Sequence, residues 1–368
     1  MTSQKKIITT LLFYVDKIGD ITDKILLKSP NIASARIQLV PALKAAQNLD
    51  LEPKIYSIHS NNPSDLCKLL PSKICLVGKM SANTKELSEG MALANLAAIS
   101  RLKRMGCTVV IQYSDNLLDD NYSISEFYKD LFAAADYVVY PSKTLFELSR
   151  KYLNPNCSAA IIHDPWQLEK YHSPRKVEKG QPYRIIWFGS NKNIDYLIKA
   201  LPSLIAKSPQ DNKFELTILG LPLAHKRVKY FLKHFPSIRE NWIFRLVRWD
   251  NANQPIQLES EITRANIAVI PSDPKDKRKA GVSHNRLVDS LRGGCITIAS
   301  PMESYKELSS IALLGDDMGE LLLTALTNYD DYRNRILTNR REMLDKFNPE
   351  HNYNCWSIFF KKVLSDNL

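Results

Sequence analysis

The chain has 368 residues, of which 44% are hydrophobic and 24% charged, and its formal net charge is +11. This length predicts two domains, because single hydrophobic cores stop growing at about 250 to 300 residues. The composition is typical of a soluble globular protein, and the sequence has no apolar run long enough to span a bilayer, which argues against an integral membrane protein.

The positive charge is compatible with nucleic acid, anionic lipid or an anionic small substrate as the binding partner. The sequence has no long Lys/Arg tract and no recognisable nucleic-acid-binding motif, so no nucleic-acid partner is predicted. Peripheral contact with an anionic membrane, at its inner face, stays open. The six cysteines are dispersed without metal-ligand spacing, which predicts reduced thiols in a cytoplasmic protein.

The first 165 residues alternate between β-rich and helix-like segments. A helix is predicted over Thr84 to Met105 with Gly106 as its C-cap, and another follows Asn31 and kinks or begins at Pro41. This alternation predicts a parallel, doubly wound sheet within a domain of residues 1–165. The β-rich runs are Ile7 to Val15, Lys54 to His59, Lys73 to Gly78, Thr108 to Tyr113, Tyr137 to Tyr140 and Ala159 to His163.

Residues 166–182 are predicted to form a linker, because they are polar and proline-bearing and lack a sustained apolar period. The alternation restarts over residues 183–347, which predicts a second Rossmann-like domain. Residues 348–368 carry aromatic and leucine side chains at helical spacing and predict a helix that packs back on the first domain. Strands of the second domain are predicted at Arg184 to Phe188, Phe214 to Leu219 and Trp242 to Val247, and helices at Asn193 to Ala206, Leu223 to His234 and Ile256 to Arg264.

The segment from Ile267 to Pro301 predicts a strand, a basic loop, a helix and a second strand in succession. The helix is predicted to begin near Gly281 and Ser283, where free backbone N–H groups and the helix dipole favour an anion. Because the loop follows the carboxyl end of a strand, the segment predicts a phosphate-binding site. The basic residues of the loop are Lys275, Lys277, Arg278 and Lys279.

These elements together resemble the GT-B fold glycosyltransferases. The sequence RIIWFGSNKNIDYLIKAL is similar to the first strand, turn and helix of the family's nucleotide-binding domain, and FELTILG and IAVIPS are similar to later strands. The sequence SHNRLVDSLRGGCITIASP is similar to the donor-binding helix and the strand behind it. The resemblance implies an α/β protein with two tandem Rossmann-like domains that face each other across a cleft.

One position departs from the family pattern. Many retaining members carry two glutamates separated by seven residues, and here Asp289 stands at the second position and Gly281 at the first. The resemblance implies that Asp289 accepts hydrogen bonds from the donor ribose. The absent first acid leaves the choice between a retaining and an inverting mechanism open.

Several residues are predicted to bind the donor. Arg286 is predicted to pair with the diphosphate, in preference to a salt bridge with Asp289 one turn away. His284 is predicted to assist the leaving group, although a lone histidine is more often structural. The other predicted donor contacts are Gly189, Ser190, Asn191, Lys277, Lys279, Ser283 and Asn285.

In the first domain, Asp115 and Asp20 follow predicted strands and are candidates for the base that deprotonates an acceptor hydroxyl. Asp115 has the alternative role of capping the turn that contains it. Ser34 and Arg36 are predicted to contact the acceptor, and a surface role for Arg36 is equally compatible with its position.

The sequence thus predicts a cytoplasmic glycosyltransferase that moves a sugar from a nucleotide-sugar donor to a hydroxyl of a glycan or lipid-linked acceptor, in surface polysaccharide biosynthesis. No cofactor and no metal are predicted, because GT-B enzymes stabilise the leaving diphosphate with helix dipoles and basic side chains. The alternatives are a GT-B nucleotide-sugar epimerase and a non-catalytic GT-B module that binds glycans or partners.

Overall fold

The computed structural model describes residues 7–13, 34–57, 72–79, 85–118, 124–235, 240–250 and 254–366. The chain divides into two compact units, and neither of them is continuous in sequence. The first unit comprises Met1–Pro165, Ala280–Ser283 and Phe347–Leu368, and the second comprises Trp166–Lys279 and His284–Lys346.

The first unit contains a six-stranded parallel sheet with the strand order β2-β1-β3-β4-β5-β6. Strands β3, β4 and β5 are buried along their whole length, as expected for a parallel sheet that is covered on both faces. The strands are β1 (Ile7–Phe13), β2 (Leu51–Ser57), β3 (Ile74–Val77), β4 (Thr108–Gln112), β5 (Tyr137–Tyr140) and β6 (Ser158–Ile161). The helices up to this point are α1 (Val40–Gln47), α2 (Lys85–Arg104), α3 (Ser125–Ala134) and α4 (Lys143–Ser149).

Helix α1 begins at Val40 because Pro41 occupies its first turn, where a missing backbone N–H costs no hydrogen bond. A π-helical turn over Ala35–Leu39 precedes it. Helix α2 ends one residue before Met105, and Gly106 adopts a φ of 82°, a left-handed conformation that glycine tolerates at helix ends. The predicted start of one helix and end of the other are thus confirmed.

The second unit contains a six-stranded parallel sheet with the order β12-β11-β10-β7-β8-β9. The crossovers run in opposite directions from β7 and β10, which are neighbours, so the sheet has a topological switch point between these two strands. The strands are β7 (Tyr183–Phe188), β8 (Phe214–Gly220), β9 (Trp242–Arg248), β10 (Ile267–Ile270), β11 (Ile296–Ala299) and β12 (Leu313–Leu314). The helices are α5 (Ile194–Lys207), α6 (Pro222–His234), α7 (Gln254–Arg264), α8 (Asn285–Arg292), α9 (Met318–Thr327) and α10 (Tyr329–Leu344).

The last helix of the chain, α11 (Pro349–Ser365), belongs to the first unit. Its residues Trp356, Phe359, Phe360 and Val363 are buried in one cluster with α1 and with strand residues of that unit. Asn348 caps the helix by accepting a hydrogen bond from the backbone N–H of Glu350. The C-terminal segment therefore completes the core of the domain in which the chain began.

Residues 166–182, which the sequence predicts to be a linker, pack within the second unit. Leu168 is 1% exposed, and the guanidinium of Arg292 lies 3.9 Å from the ring centroid of Trp166 and 4.1 Å from that of Tyr171. Gly294 permits this approach, because it has a φ of 84° and a Cβ there would lie 2.6 Å from the backbone oxygen of His172. The aromatic side chains of the segment provide the apolar surface that a solvated linker lacks.

Candidate functional site

The candidate site lies at the carboxyl ends of β7 and β10, which are neighbours at the switch point of the second sheet. Open α/β sheets bind ligands at this position, because the loops that follow the two strands diverge and leave a crevice. Gly189 and Ser190 follow β7, and Pro271 follows β10. The basic loop and the first turn of α8 continue from β10.

The turn after β7 is held by contacts within the second unit. The carbonyl of Gly189 accepts a hydrogen bond from Trp249 Nε1 at 3.4 Å, and the side-chain oxygen of Asn191 accepts one from the backbone N–H of Ala224 at 3.1 Å. A Cβ at position 189 would lie 3.2 Å from the ring of Trp187. The close packing favours glycine there, and the side chain of Asn191 stabilises the first turn of α6.

The basic loop after β10 packs on the first turn of α5. Lys279 Nζ donates to Asn193 Oδ1 at 3.2 Å, and the Tyr196 hydroxyl donates to Asp276 Oδ2 at 2.9 Å. Burial and the nearby carboxylate of Asp276 raise the pKa of Tyr196 to about 12, so the hydroxyl keeps its proton. These contacts hold Lys279 beside the turn that follows β7, whereas Lys277 is exposed.

Ser283 and Arg286, near the start of α8, each have a buried side-chain atom without a hydrogen-bond partner among the described residues. These atoms are the Oγ atom of Ser283, directly before the N-cap residue His284, and the Nη1 atom of Arg286. Arg286 also lies beside the buried Tyr305: burial raises the pKa of that tyrosine, and the charge and hydrogen bond of Arg286 act against the increase. A buried donor without a partner costs about 1 to 3 kcal/mol, so an anion that accepts from Arg286 would be stabilised here. Asn285 is the first residue of α8 and is half-buried.

His284 is buried, and its Nε2 atom lies 2.6 Å from the backbone oxygen of Ser304 and also contacts the carboxylate of Glu307. The same carboxylate pairs with Lys346. The contacts of His284 with Ser304 and Glu307 link the N-terminus of α8 to the segment after β11. Nε2 is therefore engaged by groups of the second unit, and the predicted role of His284 at the leaving group stays a prediction.

We expect the Glu307 cluster to make stability depend on acid pH. Burial acts to raise the pKa of Glu307, but hydrogen bonds and charges from His284 and Lys346 prevail and lower it to about 2. A lowered carboxyl pKa stabilises the fold above pH 4.5, the carboxyl's ordinary pKa, and this contribution is lost as the pH falls towards 2. The melting temperature of the wild type should therefore fall more steeply than that of Glu307→Gln between these values, and parallel profiles would contradict the assignment.

Asp289 is fully buried in α8. Its Oδ1 atom accepts from the backbone N–H of Gln167 at 2.8 Å, and its Oδ2 atom accepts from Gln167 Nε2 at 2.9 Å. The carboxylate thus holds the segment after residue 165 against α8. The interaction of Asp289 with a donor ribose stays a prediction, and Gln167 is a neighbour that the sequence did not indicate.

Gly281 stands at the position of the first glutamate of the family pattern, and its backbone conformation and close packing explain why glycine occupies this position. It adopts a φ of 76°, and a Cβ there would lie 2.8 Å from the Cα of Leu145. Its carbonyl accepts a hydrogen bond from the Oγ atom of Ser142 at 2.9 Å. A glutamate side chain at this position would collide with the backbone of α4 in the first unit.

In the first unit, Asp115 follows β4 and forms an ion pair with Lys79, which follows the neighbouring strand β3. The side chains are 23% and 31% exposed, so both reach solvent at the carboxyl edge of the sheet. Lys79 was not among the predicted residues. Ser34 and Arg36 lie at and within the π-helical turn before α1, and both are half-buried. Asp20 lies outside the described residues.

Within the described ranges, no group of three or more His, Cys, Asp or Glu side chains lies close enough together to hold a metal ion. None of the helices searched in these ranges is long and apolar enough to cross a bilayer. The predictions of metal and cofactor independence remain predictions.

Solved structures with a similar fold cover almost the whole chain. A sucrose-phosphate synthase from Thermosynechococcus elongatus matches with a TM-score of 0.66 and 12% identity, over 97% of this chain and 100% of the other. HepE of Anabaena, in complex with UDP-glucose, matches with a TM-score of 0.62 and 11% identity, over 97% and 100% of the two chains. The lipopolysaccharide outer core galactosyltransferase WaaB matches with a TM-score of 0.59 and 12% identity, over 98% and 99%.

These neighbours are GT-B glycosyltransferases, and the chain has the GT-B fold, as its sequence predicts. No protein-family model and no curated protein sequence matches the chain. The fold relationship is therefore detected by structure rather than by sequence.

Proposed function

We propose that the protein is a glycosyltransferase that transfers a sugar from a nucleotide-sugar donor to a hydroxyl of a glycan or lipid-linked acceptor. The observation that carries the proposal is the buried Nη1 atom of the half-buried Arg286 at the start of α8, which has no hydrogen-bond partner among the described residues. Solved examples of the fold include a complex with UDP-glucose. A galactosyltransferase of lipopolysaccharide outer core and a sucrose-phosphate synthase share this fold. The complex with UDP-glucose supports a nucleotide-sugar donor, and the lipopolysaccharide galactosyltransferase supports a role in surface polysaccharide biosynthesis.

In the proposed reaction, the bond between the sugar C1 and the diphosphate oxygen breaks as a bond forms between C1 and the acceptor oxygen. Arg286 and the backbone N–H groups at the start of α8 stabilise the negative charge that develops on the diphosphate. Lys279, held beside the turn after β7, adds positive charge. Asp289 orients the donor ribose, and Gln167 fixes the position of its carboxylate. Neither a metal nor a cofactor takes part.

Asp115 is the proposed base in the first unit. It would accept the proton of the acceptor hydroxyl, and Lys79 would hold the carboxylate in place. The proposed setting is the cytoplasm, with peripheral contact with an anionic membrane where the acceptor is lipid-linked.

Donor binding is tested by thermal denaturation in the presence of UDP-, GDP-, CMP- and dTDP-sugars. A ligand that binds only the native state raises stability by about 2.7 kcal/mol at 100 times its dissociation constant. We expect one nucleotide class to raise the melting temperature, and no response to any of them would contradict the proposal. Isomerisation of a nucleotide sugar without acceptor would instead identify an epimerase.

Asp115→Asn is expected to lower the rate of transfer by about 100-fold or more, because general base catalysis contributes factors of this size. The increase in melting temperature caused by the nucleotide should stay the same, since Lys279, Arg286 and Asp289 of the proposed donor site belong to the second unit and Asp115 to the first. Glu126→Gln is the matched control, because Glu126 also forms an ion pair with a lysine, Lys129, but is exposed on α3. Full activity in Asp115→Asn would exclude the base role.

A further inference from the structure

Helix α6 has exposed apolar side chains, and all of its charged side chains are basic. Leu223 is 52% exposed and Tyr230 is 69% exposed. These two residues are seven positions apart, so they lie on one stripe of the helix. The opposite stripe, with Ala224 and Val228, is buried against the second unit. Ala224 and Val228 already pack α6 against the second unit, so this packing does not explain why Leu223 and Tyr230 are apolar.

The same outer surface carries unpaired positive charge. Lys226, Lys229 and Lys233 are exposed and form no ion pair or hydrogen bond through their ammonium groups with any described residue. Arg227 pairs with Asp195 at 2.8 Å. The helix contains no Asp or Glu between Pro222 and His234. The local field is therefore positive and is not neutralised within α6.

A shallow groove of about 520 Å³ runs along the side of the helix. Leu223, Tyr230 and Phe231 line it together with Ile198 of α5. The apolar stripe of α6 thus extends onto a neighbouring helix, and the charged residues Lys226, Arg227 and Asp195 also line the groove. We name the set of Leu223, Lys226, Lys229, Tyr230 and Lys233 the α6 face.

We propose that the α6 face binds the surface of a bilayer that contains anionic lipids. Lysine stems lie along apolar surface while their ammonium groups reach the phosphates, and leucine and tyrosine side chains enter the boundary between headgroups and acyl chains. Tyrosine is favoured at this depth because its ring is apolar and its hydroxyl is polar. The bilayer fits better than an acidic protein, because the apolar side chains are few and dispersed among lysines instead of forming a continuous hydrophobic core.

The test uses the full-length protein and flotation with lipid vesicles, without nucleotide or acceptor, so its result is independent of the proposed transferase activity. The protein is expected to bind vesicles that contain phosphatidylglycerol and not vesicles of phosphatidylcholine alone. Binding should weaken between about 0.1 M and about 0.5 M salt, because salt screens the lysine charges. Absence of binding to the anionic vesicles would overturn the proposal.

Two sets of variants locate the surface. Lys226→Gln, Lys229→Gln and Lys233→Gln combined are expected to weaken vesicle binding on the order of 100-fold, because each basic residue near an anionic surface contributes a factor of about five. The control is the variant in which Lys176, Lys179 and Lys213 are all replaced by Gln. These lysines are exposed elsewhere on the second unit, and their replacement removes the same amount of charge. An equal loss in the control would overturn the assignment to α6.

The apolar contribution is measured with Leu223→Ser and Tyr230→Ser combined, which should weaken binding about tenfold or more. Ile256→Ser and Ile358→Ser form the matched control, because these side chains are 67% and 68% exposed on other helices. If the Leu223/Tyr230 variant binds the vesicles as tightly as the wild type, the α6 face is a general polyanion surface and the bilayer proposal fails.

Discussion

Arg286→Ala is expected to lower kcat/KM for transfer by about 100- to 1000-fold, the usual cost of removing one preorganised donor to a developing negative charge. The increase in melting temperature with nucleotide should shrink or disappear as well. The reason is that Arg286 has a buried nitrogen without a partner among the described residues. An exposed lysine cannot replace the two coplanar N–H donors that a guanidinium offers to a phosphate. Enzyme kinetics and thermal denaturation with the nucleotide diphosphate provide the two measurements.

The control is Arg264→Ala, since Arg264 is exposed at the end of α7 and its replacement changes the net charge equally. Arg286→Lys should recover only part of the activity, because an ammonium is a point charge and does not form the bidentate pair of a guanidinium. If Arg286→Ala retains full activity and full nucleotide binding, α8 does not bind the diphosphate and the proposed site is wrong.

Gly281→Ala is expected to destabilise the first unit by about 3 kcal/mol, a value that combines a left-handed backbone cost with a steric clash. The Cβ would approach the Cα and N atoms of Leu145 to 2.8 and 2.9 Å, and backbone atoms cannot move aside as a flexible side chain can. Gly281→Glu, which introduces the first glutamate of the family pattern, should destabilise at least as much and should not increase activity. Urea denaturation measures the free energy of unfolding.

Gly106→Ala and Gly180→Ala separate the two causes. Both glycines have a positive φ, of 82° and 84°, but a Cβ at either position meets no atom within 4 Å. Each control should therefore cost only about 1 kcal/mol, the backbone part of the effect. If Gly281→Ala costs no more than the controls, the contact between Gly281 and α4 does not constrain the residue at this position.

Most of the fold could be predicted from the sequence, because β-branched runs and amphipathic helices alternate with clear end signals. Helix α6, predicted from Leu223 to His234, begins at Pro222, and β10 begins at Ile267, where the predicted strand begins. Helices α9 and α10 were not predicted. In α10 the buried residues include Arg333 and Arg340, whose charges obscure the apolar period.

The site was less predictable than the fold, because local sequence shows which residues share a helix face but not what covers that face. Asp289 is predicted to contact the donor ribose, and the sequence did not indicate that both of its oxygens accept hydrogen bonds from Gln167. Its partner lies 122 residues away in a stretch that looks like a linker. Arg286 was predicted by its position at the start of α8. Only the structure shows that its Nη1 atom is buried and has no partner in the part of the chain that the structure describes.

The discontinuity of the first unit determines when it can fold during synthesis. Ribosomes release the chain from its N-terminus, and domains generally fold as soon as all their parts have emerged. Trp356, Phe360 and Val363 of α11 belong to the core of this unit, so its hydrophobic cluster is complete only after Val363 has emerged. The second unit ends at Lys346 and emerges earlier. Truncation of the last helix would therefore leave the N-terminal sheet with an exposed apolar face and a tendency to aggregate, although the polypeptide of the sheet itself is intact.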